Sequence, residues 1–273
     1  MPEGPEIRLA ADRVANVLLN QTVEAVSFGL QPLRRYERRL RGQRVVAVDT
    51  HGKAMLTRFD NGLTLYSHNQ LYGRWYITRR PQLPNTSRQL RVALHTQTHS
   101  ALLYSASDIA VLSEPQLSEH PFLARLGPDI LDESLTKAQI ADRLLMPRFR
   151  NRSLGSLYLD QSFLAGNGNY LRTEILWAAG VHPLAKPSNL GASAVARLAA
   201  VTLKISRRSY RTRGVTLPDA QARKLRAQGA SYANYRFGAY GREGLPCRHC
   251  GASIERSAMG SRAVFVCPIC QTR

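Results

Sequence analysis

The chain has 273 residues, and 38 lysines and arginines against 19 aspartates and glutamates give it a net charge of +19. This charge predicts a polyanionic partner, and nucleic acid fits better than a membrane because the basic residues are dispersed and no long apolar run is present. An apolar content of 44% suffices for folded cores, and the length admits one large domain or two to three smaller ones. No secretory signal opens the chain, so a reducing, cytoplasmic compartment is expected.

The N-terminus carries the first candidate for chemistry, Pro2 followed by Glu3. Removal of Met1 would expose a secondary amine, which can attack a sugar aldehyde carbon and form a permanently cationic iminium. An α-amine titrates at about pH 8, so a useful fraction of the amine is neutral at physiological pH. Glu3 would then stand beside the reacting carbon. The alternative is that Pro2 only precedes a helix whose first turn is favoured by Glu3 and Glu6.

A helix and then a series of short strands are predicted next. Residues 5–20 place apolar side chains at the spacing of an amphipathic helix. From Thr22 the apolar period shortens to two, and Asp60–Gly62 is a hairpin signal. Seven short strands separated by turns predict an antiparallel β-sandwich closed by the first helix. The predicted strands cover residues 22–28, 44–50, 54–59, 63–68, 74–78, 90–95 and 101–106.

Two turns of this β-domain carry residues that packing does not require. Lys53 stands at the start of a strand, where the alternative is a solvated hairpin lysine. The segment 66–73 crowds polar and large side chains together, with Leu71 between Gln70 and Tyr72. A leucine flanked by an amide and an aromatic ring is suited to insertion into an opened base stack.

After residue 128 the apolar period returns to that of helices. Residues 164–170 contain two glycines followed by Asn169, which can cap the next helix. A helix N-terminus of this kind binds anions, so a DNA phosphate is the expected ligand; an ordinary turn between helices is the alternative. Residues 206–236 are rich in Arg, Ser and Tyr and predict a basic linker or loop. The predicted helices cover residues 135–145, 155–161 and 170–179.

All the cysteines lie near the C-terminus in two C-x-x-C pairs, the spacing of a zinc ribbon. Four thiolates complete a tetrahedral shell, which predicts one structural zinc with no position open for catalysis. Two disulfides are the alternative, and His249 is a possible replacement ligand. The predicted zinc ligands are Cys247, Cys250, Cys267 and Cys270.

Between the two cysteine pairs, residues 260–266 predict a glycine-led turn and an alternating strand. Arg262 would project from that turn, either to hold a phosphate or to enter a cleft; a solvated turn arginine is the alternative. Together these patterns predict an α+β multidomain protein. Its parts are a β-sandwich domain over residues 1–128, a helical domain with a basic linker over 129–236, and a zinc ribbon over 237–273.

In this order, four features resemble the formamidopyrimidine-DNA glycosylase and endonuclease VIII family across essentially the whole chain. They are the residues 2–6, Lys53, the turn at 164–170 and the four-cysteine tail. Residues 4–7 and 66–72 resemble the endonuclease VIII branch, since the purine-directed branch typically has leucine where this chain has Gly4. Asn167 departs from the family pattern, because an apolar residue is expected there.

The resemblance implies a base-excision-repair enzyme with two activities, a DNA glycosylase that removes oxidised pyrimidines and an abasic-site lyase. Pro2 would form the Schiff base and Glu3 would act as general acid or base. Lys53 resembles the residue that protonates the damaged sugar or base and assists β-elimination. Arg262 resembles the residue used in δ-elimination.

The resemblance also implies how DNA is held. The helical domain would be a helix–two-turn–helix unit, in which Asn169 and Arg125 hold phosphates near the lesion. Gln70 resembles a DNA-contacting residue, and Gln70, Leu71 and Tyr72 would fill the gap left by the extruded base. The expected partner is damaged double-stranded DNA. A monomer without membrane association, located in the bacterial cytoplasm and on the nucleoid through DNA binding, is also expected.

Two alternatives to this function remain open from the sequence. One is an oxidised-purine glycosylase with the same active site. The other is a non-catalytic zinc-ribbon protein, in which Pro2 is chemically idle and DNA binding is strong and salt-dependent.

Overall fold

The computed structural model describes residues 2–272. The chain divides into two compact units, the first ending at Arg125 and the second beginning at Leu126. The zinc ribbon belongs to the second unit. The three-domain division with boundaries near 128 and 236 stays a prediction. Within the described residues, none of the helices combines the length and the apolar character needed to cross a membrane.

The first unit is a helix followed by two four-stranded antiparallel sheets, which confirms the predicted β-sandwich. One sheet has the strand order β1-β6-β7-β5 and the other β2-β3-β4-β8. The helices are α1 (Gly4–Leu18), α2 (Glu37–Leu40) and α3 (Glu114–Ser118), with 3₁₀ turns at Gln31–Tyr36 and Leu123–Arg125. The strands are β1 (Ala25–Phe28), β2 (Val45–His51), β3 (Ala54–Phe59), β4 (Leu63–His68), β5 (Arg74–Arg79), β6 (Leu90–His95), β7 (His99–Tyr104) and β8 (Asp108–Ser113).

Strand β8 was not among the predicted strands, and the predicted strand 101–106 lies two residues earlier, at His99–Tyr104. The segment Ile109–Leu112 has four consecutive apolar residues and so lacks the alternation by which a half-buried strand is recognised. In the structure it pairs with β4 at the edge of the sheet.

Helix α1 begins at Gly4 with a capping box between Glu3 and Glu6. Its apolar stripe, which includes Ile7, Val14 and Leu18, is buried against the sandwich. Because the full burial of a large aliphatic side chain contributes about 1.5–3 kcal/mol, this stripe fixes the helix to the sheets.

The N-terminus of α1 and the β2–β3 turn lie at the same end of the sandwich. The end of α1 meets the start of β2, where Leu19 bridges Val45. At 1.5 and 3.4 Å per residue, the 15 residues of α1 and the 7 of β2 are both roughly 22–24 Å long. Since α1 packs along β2, it runs back to the turn at Gly52 and Lys53. We call this the Lys53 end of the first unit.

The second unit is mainly helical and ends in a two-stranded ribbon. Its helices are α4 (Lys137–Leu145), α5 (Leu154–Leu157), α6 (Asn169–Ala179), α7 (Ala192–Arg211), α8 (Asp219–Ala227) and α9 (Tyr232–Arg236), with a 3₁₀ turn at Pro187–Asn189. The ribbon strands are β9 (Glu255–Met259) and β10 (Arg262–Val266), which pair in antiparallel register. The predicted helix at 155–161 is wrong in extent, because α5 is a single turn.

The predicted basic linker at 206–236 is wrong, since it contains the end of α7 and all of α8 and α9. Helix α7 has 20 residues, and the buried face of its second half is partly polar. There Thr202 hydrogen-bonds Tyr158 Oη at 2.7 Å and Ser209 hydrogen-bonds Tyr170 Oη at 2.9 Å. Small hydroxyl residues replace apolar ones on this face, so the period-3.6 signal fades where the helix is still buried.

Candidate functional site

Pro2 and Glu3 lie at the N-terminus of α1. Pro2 is half-buried and immediately precedes the helix cap, while Glu3 is only 3% exposed. The backbone N–H of Glu3 donates to the Glu6 carboxylate at 3.0 Å. The helix N-terminus carries partial positive charge, which favours a carboxylate at the cap. A buried acid therefore directly follows the imino acid at position 2.

Lys53 occupies the tip of the β2–β3 hairpin. Gly52 precedes it with φ of 62°, the left-handed conformation that a two-residue hairpin of this kind requires of its first residue. Lys53 is half-buried and lies close enough to His68 to act on its charge. Burial lowers the pKa of the His68 imidazole; the Asp108 carboxylate opposes this change and the Lys53 ammonium adds to it. The imidazole is therefore held neutral beside the lysine.

A buried tyrosine, two residues before His68 on β4, supports this cluster. Tyr66 Oη donates to the Asp108 carboxylate at 3.2 Å, and burial followed by the Asp108 charge raises the pKa of Tyr66. The His120 ring lies 4.3 Å from the Tyr66 ring, and Phe122 lies edge-on to His68 at 5.2 Å. These ring contacts hold residues 120–122, which lead to Arg125, against β4.

The turn that follows β4 carries Leu71 and Tyr72, the side chains predicted to enter an opened base stack, which we call the wedge. Gln70 has φ of 51°, and its side-chain oxygen accepts from Ser107 Oγ at 2.8 Å. The Tyr72 carbonyl accepts from the Arg88 guanidinium. Leu71 is 52% exposed and Tyr72 69% exposed, so two large side chains stand exposed next to each other. The turn thus presents both side chains outward from a restrained backbone.

Gly73 closes this turn because no side chain fits there. Its N–H donates to the Asn69 carbonyl at 2.7 Å, and a Cβ at this position would lie 2.6 Å from the same oxygen. The turn follows His68, which pairs with Ala54 next to Lys53, so it lies at the Lys53 end.

Arg125, the predicted phosphate ligand of the first unit, is exposed at the end of the segment from His120. Its Nε–H donates to the Pro121 carbonyl at 2.7 Å, which sets the direction of the side chain.

In the second unit, the glycine-rich turn before α6 is buried and held by Gln161. The amide of Gln161 donates to the Asn167 carbonyl at 2.9 Å and accepts from the Gly166 N–H at 3.1 Å. Gly166 has φ of 97°, a conformation that side chains rarely adopt. The Asn167 side chain is fully buried, and neither of its polar atoms has a hydrogen-bond partner among the described residues.

Asn169 begins α6 and joins this turn to the ribbon. Its side-chain N–H donates to the Ala263 carbonyl at 3.1 Å, and its oxygen accepts from Arg172 at 2.6 Å. The fully buried Arg172 also donates to the Ala263 carbonyl at 2.9 Å and to the Gly155 carbonyl at 3.1 Å. Arg262 precedes Ala263 and is the first residue of β10. Asn169, the predicted phosphate ligand, thereby contacts the residue that follows Arg262, the predicted elimination residue.

The sulfur atoms of the cysteines fit a tetrahedral metal site. The four free thiols lie within 4.8 Å of one another, with 3.9 Å between Cys247 and Cys270 and 3.4 Å between Cys250 and Cys267. Thiolates about 2.3 Å from zinc are separated by about 3.8 Å. His249 is not among the clustered ligands; its ring stacks on Trp177 at 4.0 Å. The chain therefore holds one structural zinc.

Hydrogen bonds prepare the sulfur atom of Cys247 for the metal. Burial acts to raise the pKa of Cys247, but donors outweigh it, first the Trp177 indole N–H at 3.4 Å and then backbone N–H groups, and hold that pKa at about 6. The ribbon shares its core with α6 and with Val215 and Leu217, so the zinc also fixes the end of the helical region.

Three residues of these sites were not singled out from the sequence. His68 and Asp108 became visible only through the pairing of β4 with β8, which sets them opposite each other. Arg172 follows Asn169 by one helical turn on α6, a spacing that could have suggested their contact.

The sequence matches three family models in chain order. Residues 1–107 match the formamidopyrimidine-DNA glycosylase N-terminal domain and residues 126–220 match its H2TH domain. Residues 244–273 match the zinc finger found in Fpg and isoleucyl-tRNA synthetase. The fold and the cysteine cluster agree with this order.

Curated relatives match over the full length. The chain is 48% identical over 271 residues to the Endonuclease 8 proteins of Escherichia coli K12 and Salmonella typhimurium LT2, covering 99% of this chain and 100% of each relative. Lactococcus lactis Fpg, solved with DNA containing N7-benzyl-Fapy-dG, has a TM-score of 0.82 at 18% identity over 100% of both chains. The same protein with abasic-site DNA gives 0.81 at 17% identity, over 99% of this chain and 100% of that chain.

A β-sandwich with an N-terminal proline, a glycine-rich turn before a helix and a four-thiolate ribbon define a DNA glycosylase and abasic-site lyase of base excision repair. The chain belongs to the formamidopyrimidine-DNA glycosylase and endonuclease VIII family. The predicted fold class, enzyme class and zinc are confirmed, and DNA is its partner.

Proposed function

We propose that this enzyme removes oxidised pyrimidines from double-stranded DNA through a Schiff base at Pro2 and cuts the strand by β,δ-elimination. One structural observation carries the assignment of residues in the first unit. Pro2 with buried Glu3, the Lys53 turn and the exposed Leu71 and Tyr72 all lie at the Lys53 end of one sandwich. A nucleophile, an acid, a cation and a wedge at one end of the unit are what base extrusion and covalent catalysis require.

In this mechanism the amine of Pro2 attacks C1′ of the extruded nucleotide. The N–C1′ bond forms, the glycosidic bond breaks and the base leaves. Glu3 protonates the sugar ring oxygen as the ring opens, which leaves an iminium at C1′. The cation acidifies the C2′ proton, so loss of that proton breaks the bond to the 3′ phosphate.

Lys53 and Arg262 take the other proton-transfer and charge roles. Lys53 protonates the departing base or the sugar and assists β-elimination, and the neutral His68 beside it avoids a second cation. Arg262 assists the second elimination, which releases the 5′ phosphate. The product is a one-nucleotide gap with phosphates at both ends.

DNA binding rests on residues in both units. Arg125 and Asn169 hold phosphates near the lesion, and Gln70 contacts DNA. Leu71 and Tyr72 fill the space of the extruded base, whose unstacking costs a few kcal/mol and least for damaged bases. The non-planar thymine glycol stacks poorly and is therefore the favoured substrate. The enzyme acts as a monomer in the cytoplasm, on the nucleoid and away from membranes.

Borohydride trapping tests the proposal directly. The purified enzyme is incubated with a thymine-glycol duplex and borohydride, and the adduct is located by peptide mass. An adduct on residue 2 is expected, since reduction converts the iminium to a stable amine. Glu3→Gln serves as the comparison, because it retains the amine but lacks the acid.

Other outcomes of the same experiment point elsewhere. An adduct with an 8-oxoguanine duplex but not with thymine glycol identifies an oxidised-purine enzyme. An adduct with an abasic duplex alone identifies a lyase. No adduct on any duplex, with salt-dependent binding retained, identifies a protein that only binds DNA.

Arg262→Ala tests the second elimination. The β-elimination product is expected to accumulate while Schiff-base trapping at Pro2 continues, because Arg262 acts after the first strand cut. Gel analysis of the 3′ ends measures this, with Arg256→Ala on the neighbouring strand as the control. A dominant doubly eliminated product at the wild-type rate would leave Arg262 as a phosphate contact or a turn residue.

A further inference from the structure

A row of arginines lies on the first unit, between β1 and β2, and has no part in the chemistry above. The segment 31–44 contains a single acid, Glu37, against six arginines, a net charge of +5. All six arginines are exposed. We call them the arginine row: Arg34, Arg35, Arg38, Arg39, Arg41 and Arg44.

The charges of this row are largely uncompensated. The Glu37 carboxylate accepts the Phe28 N–H at 2.8 Å. Arg44 is the one member that forms an ion pair with a described residue, at 3.9 Å from Asp60. The side chains of Arg38 and Arg41 form no ion pair or hydrogen bond with the described residues. Exposed like charges repel one another, so a row of this kind is stable when an anion lies along it.

An aromatic ring orders part of the row. The guanidinium groups of Arg35 and Arg39 lie 5.0 and 5.5 Å from the centroid of the Tyr36 ring. Cation–π contacts restrict both side chains, which reduces the entropy lost on binding a phosphate.

The row begins at the Lys53 end of the unit. Arg34 Nε–H donates to the Phe28 carbonyl at 3.4 Å. Phe28, the last residue of β1, pairs with Val92 near the start of β6. The first residue of β6, Leu90, pairs with Tyr104 at the end of β7. Tyr104 in turn pairs with Arg74, the first residue of β5. Arg74 directly follows the turn that carries Leu71 and Tyr72, so this edge of the sheet is level with that turn.

The row extends from there to the opposite end. The Arg39 carbonyl accepts from the Asn61 side chain at 2.8 Å, and Asn61 lies in the β3–β4 hairpin. That hairpin is remote from Lys53 because Phe59 pairs with Val45 at the other end of β2. The row therefore runs along one side of the sandwich, from the Lys53 end towards the opposite end.

We propose that the arginine row binds the backbone of the DNA arm on one side of the lesion. It would follow successive phosphates of the duplex whose damaged base is at the Lys53 end. This inference rests on the proposed function for the position of the lesion. It adds a contact surface that the chemistry does not need.

Duplex DNA fits the row better than a lipid surface or an acidic protein. The apolar side chains of the segment, Leu33 and Leu40, are buried and offer nothing to insert into a bilayer. Arginine presents a planar fork that binds phosphate through two hydrogen bonds. Because the row is continuous with the Lys53 end, the duplex whose damaged base binds at that end is the favoured ligand.

Duplexes with different arms test the proposal. Each contains a tetrahydrofuran abasic analogue, which cannot react at C1′, with an arm of about 15 base pairs on the 5′ side, the 3′ side or both, and about 4 base pairs, roughly 14 Å, elsewhere. The variant Arg38→Gln/Arg41→Gln should weaken binding about tenfold only when one particular arm is long. On that duplex, the slope of log K against the logarithm of the salt concentration should decrease in magnitude by about one to two.

The control variant is Arg13→Gln/Arg79→Gln, which removes the same charge from exposed positions of the same unit outside the row. It should weaken binding equally, and little, for every arm. Equal losses for all arms in the row variant, or no loss in any, would overturn the proposal, as would row-dependent binding to anionic vesicles without arm dependence. Failure of Schiff-base trapping is a separate result, because this measurement needs no reaction.

Discussion

At the scale of single residues, Lys53 is distinguished by its type as well as its place. It is the only lysine before Lys137 in a chain whose 38 basic residues are mostly arginine. Arginine stays protonated in proteins, whereas lysine can release its proton when its surroundings favour the neutral amine. A position that must transfer a proton therefore needs lysine, while phosphate binding elsewhere is served by arginine.

Replacing Lys53 by alanine should reduce base removal about 100-fold or more, because a positioned acid or base contributes 10²–10⁴ in rate. Single-turnover excision of thymine glycol measures the effect. Binding to undamaged DNA should change little, since one charge of many is lost. Lys204→Ala, an exposed lysine on α7, is the control. Excision at the wild-type rate would remove Lys53 from the mechanism.

Asn167 stands where the family pattern has an apolar residue, and its burial has a measurable consequence. Asn167→Leu should raise the thermal stability by about 1–3 kcal/mol, since it removes two buried polar atoms that lack partners among the described residues. Calorimetry or thermal melting followed by circular dichroism measures this. Asn167→Asp should destabilise by burying a charge at the same place. A lower melting temperature for the leucine variant would show that the amide is satisfied in solution.

At the scale of elements, the turn between β4 and β5 is the most informative, because its backbone is restrained while its apolar side chains face solvent. Leu71 and Tyr72 are 52% and 69% exposed, so they form an adjacent pair of large side chains that a partner can cover. The restraints from Ser107, Arg88 and Gly73 hold the backbone of this turn in place, so in the proposed role little conformational entropy would be lost when Leu71 and Tyr72 enter the base stack.

Leu71→Ala should slow excision of a paired lesion about tenfold or more, because the gap left by the extruded base would no longer be filled. Cleavage of a preformed abasic site should be affected much less, since no base has to leave the stack. Comparing the two single-turnover rates separates these steps. Leu83→Ala, another leucine that is 68% exposed, is the matched control. Equal losses on both substrates would contradict the wedge role.

At the scale of the whole molecule, the zinc organises more than its own ribbon. The thiolates share a core with α6, and Asn169 and Arg172 bind the ribbon through Ala263. The helix proposed to bind phosphate and the residue proposed for δ-elimination are thus placed by one closed metal site in the second unit.

Removing the zinc should therefore unfold the ribbon and reduce DNA binding together. Chelation in mild denaturant should release one zinc per chain, and the fluorescence of Trp177, which contacts Cys247, should change at the same rate. Trp75→Phe leaves Trp177 as the single tryptophan reporter among the 2 in the chain. Full DNA binding after complete zinc release would contradict this coupling.

Much of this architecture is encoded in local patterns of the sequence. The alternation of apolar residues identified most strands of the sandwich, and the C-x-x-C spacing identified the zinc site, because both depend on neighbours along the chain. The order of motifs identified the family. The positions Pro2, Lys53 and Asn169 could be selected because their residue types carry chemistry that packing alone does not explain.

Other features were decided only by tertiary structure. Helix α7 was not among the predicted helices, and its last residues lay in the predicted linker, because hydroxyl residues on its buried face find partners on Tyr158 and Tyr170, which local periodicity cannot show. The pairing of His68 with Asp108 and the position of Arg172 beneath the ribbon depend on strand register and on contacts between distant segments. Such contacts arise when the chain folds back on itself, and for that reason no local pattern contains them.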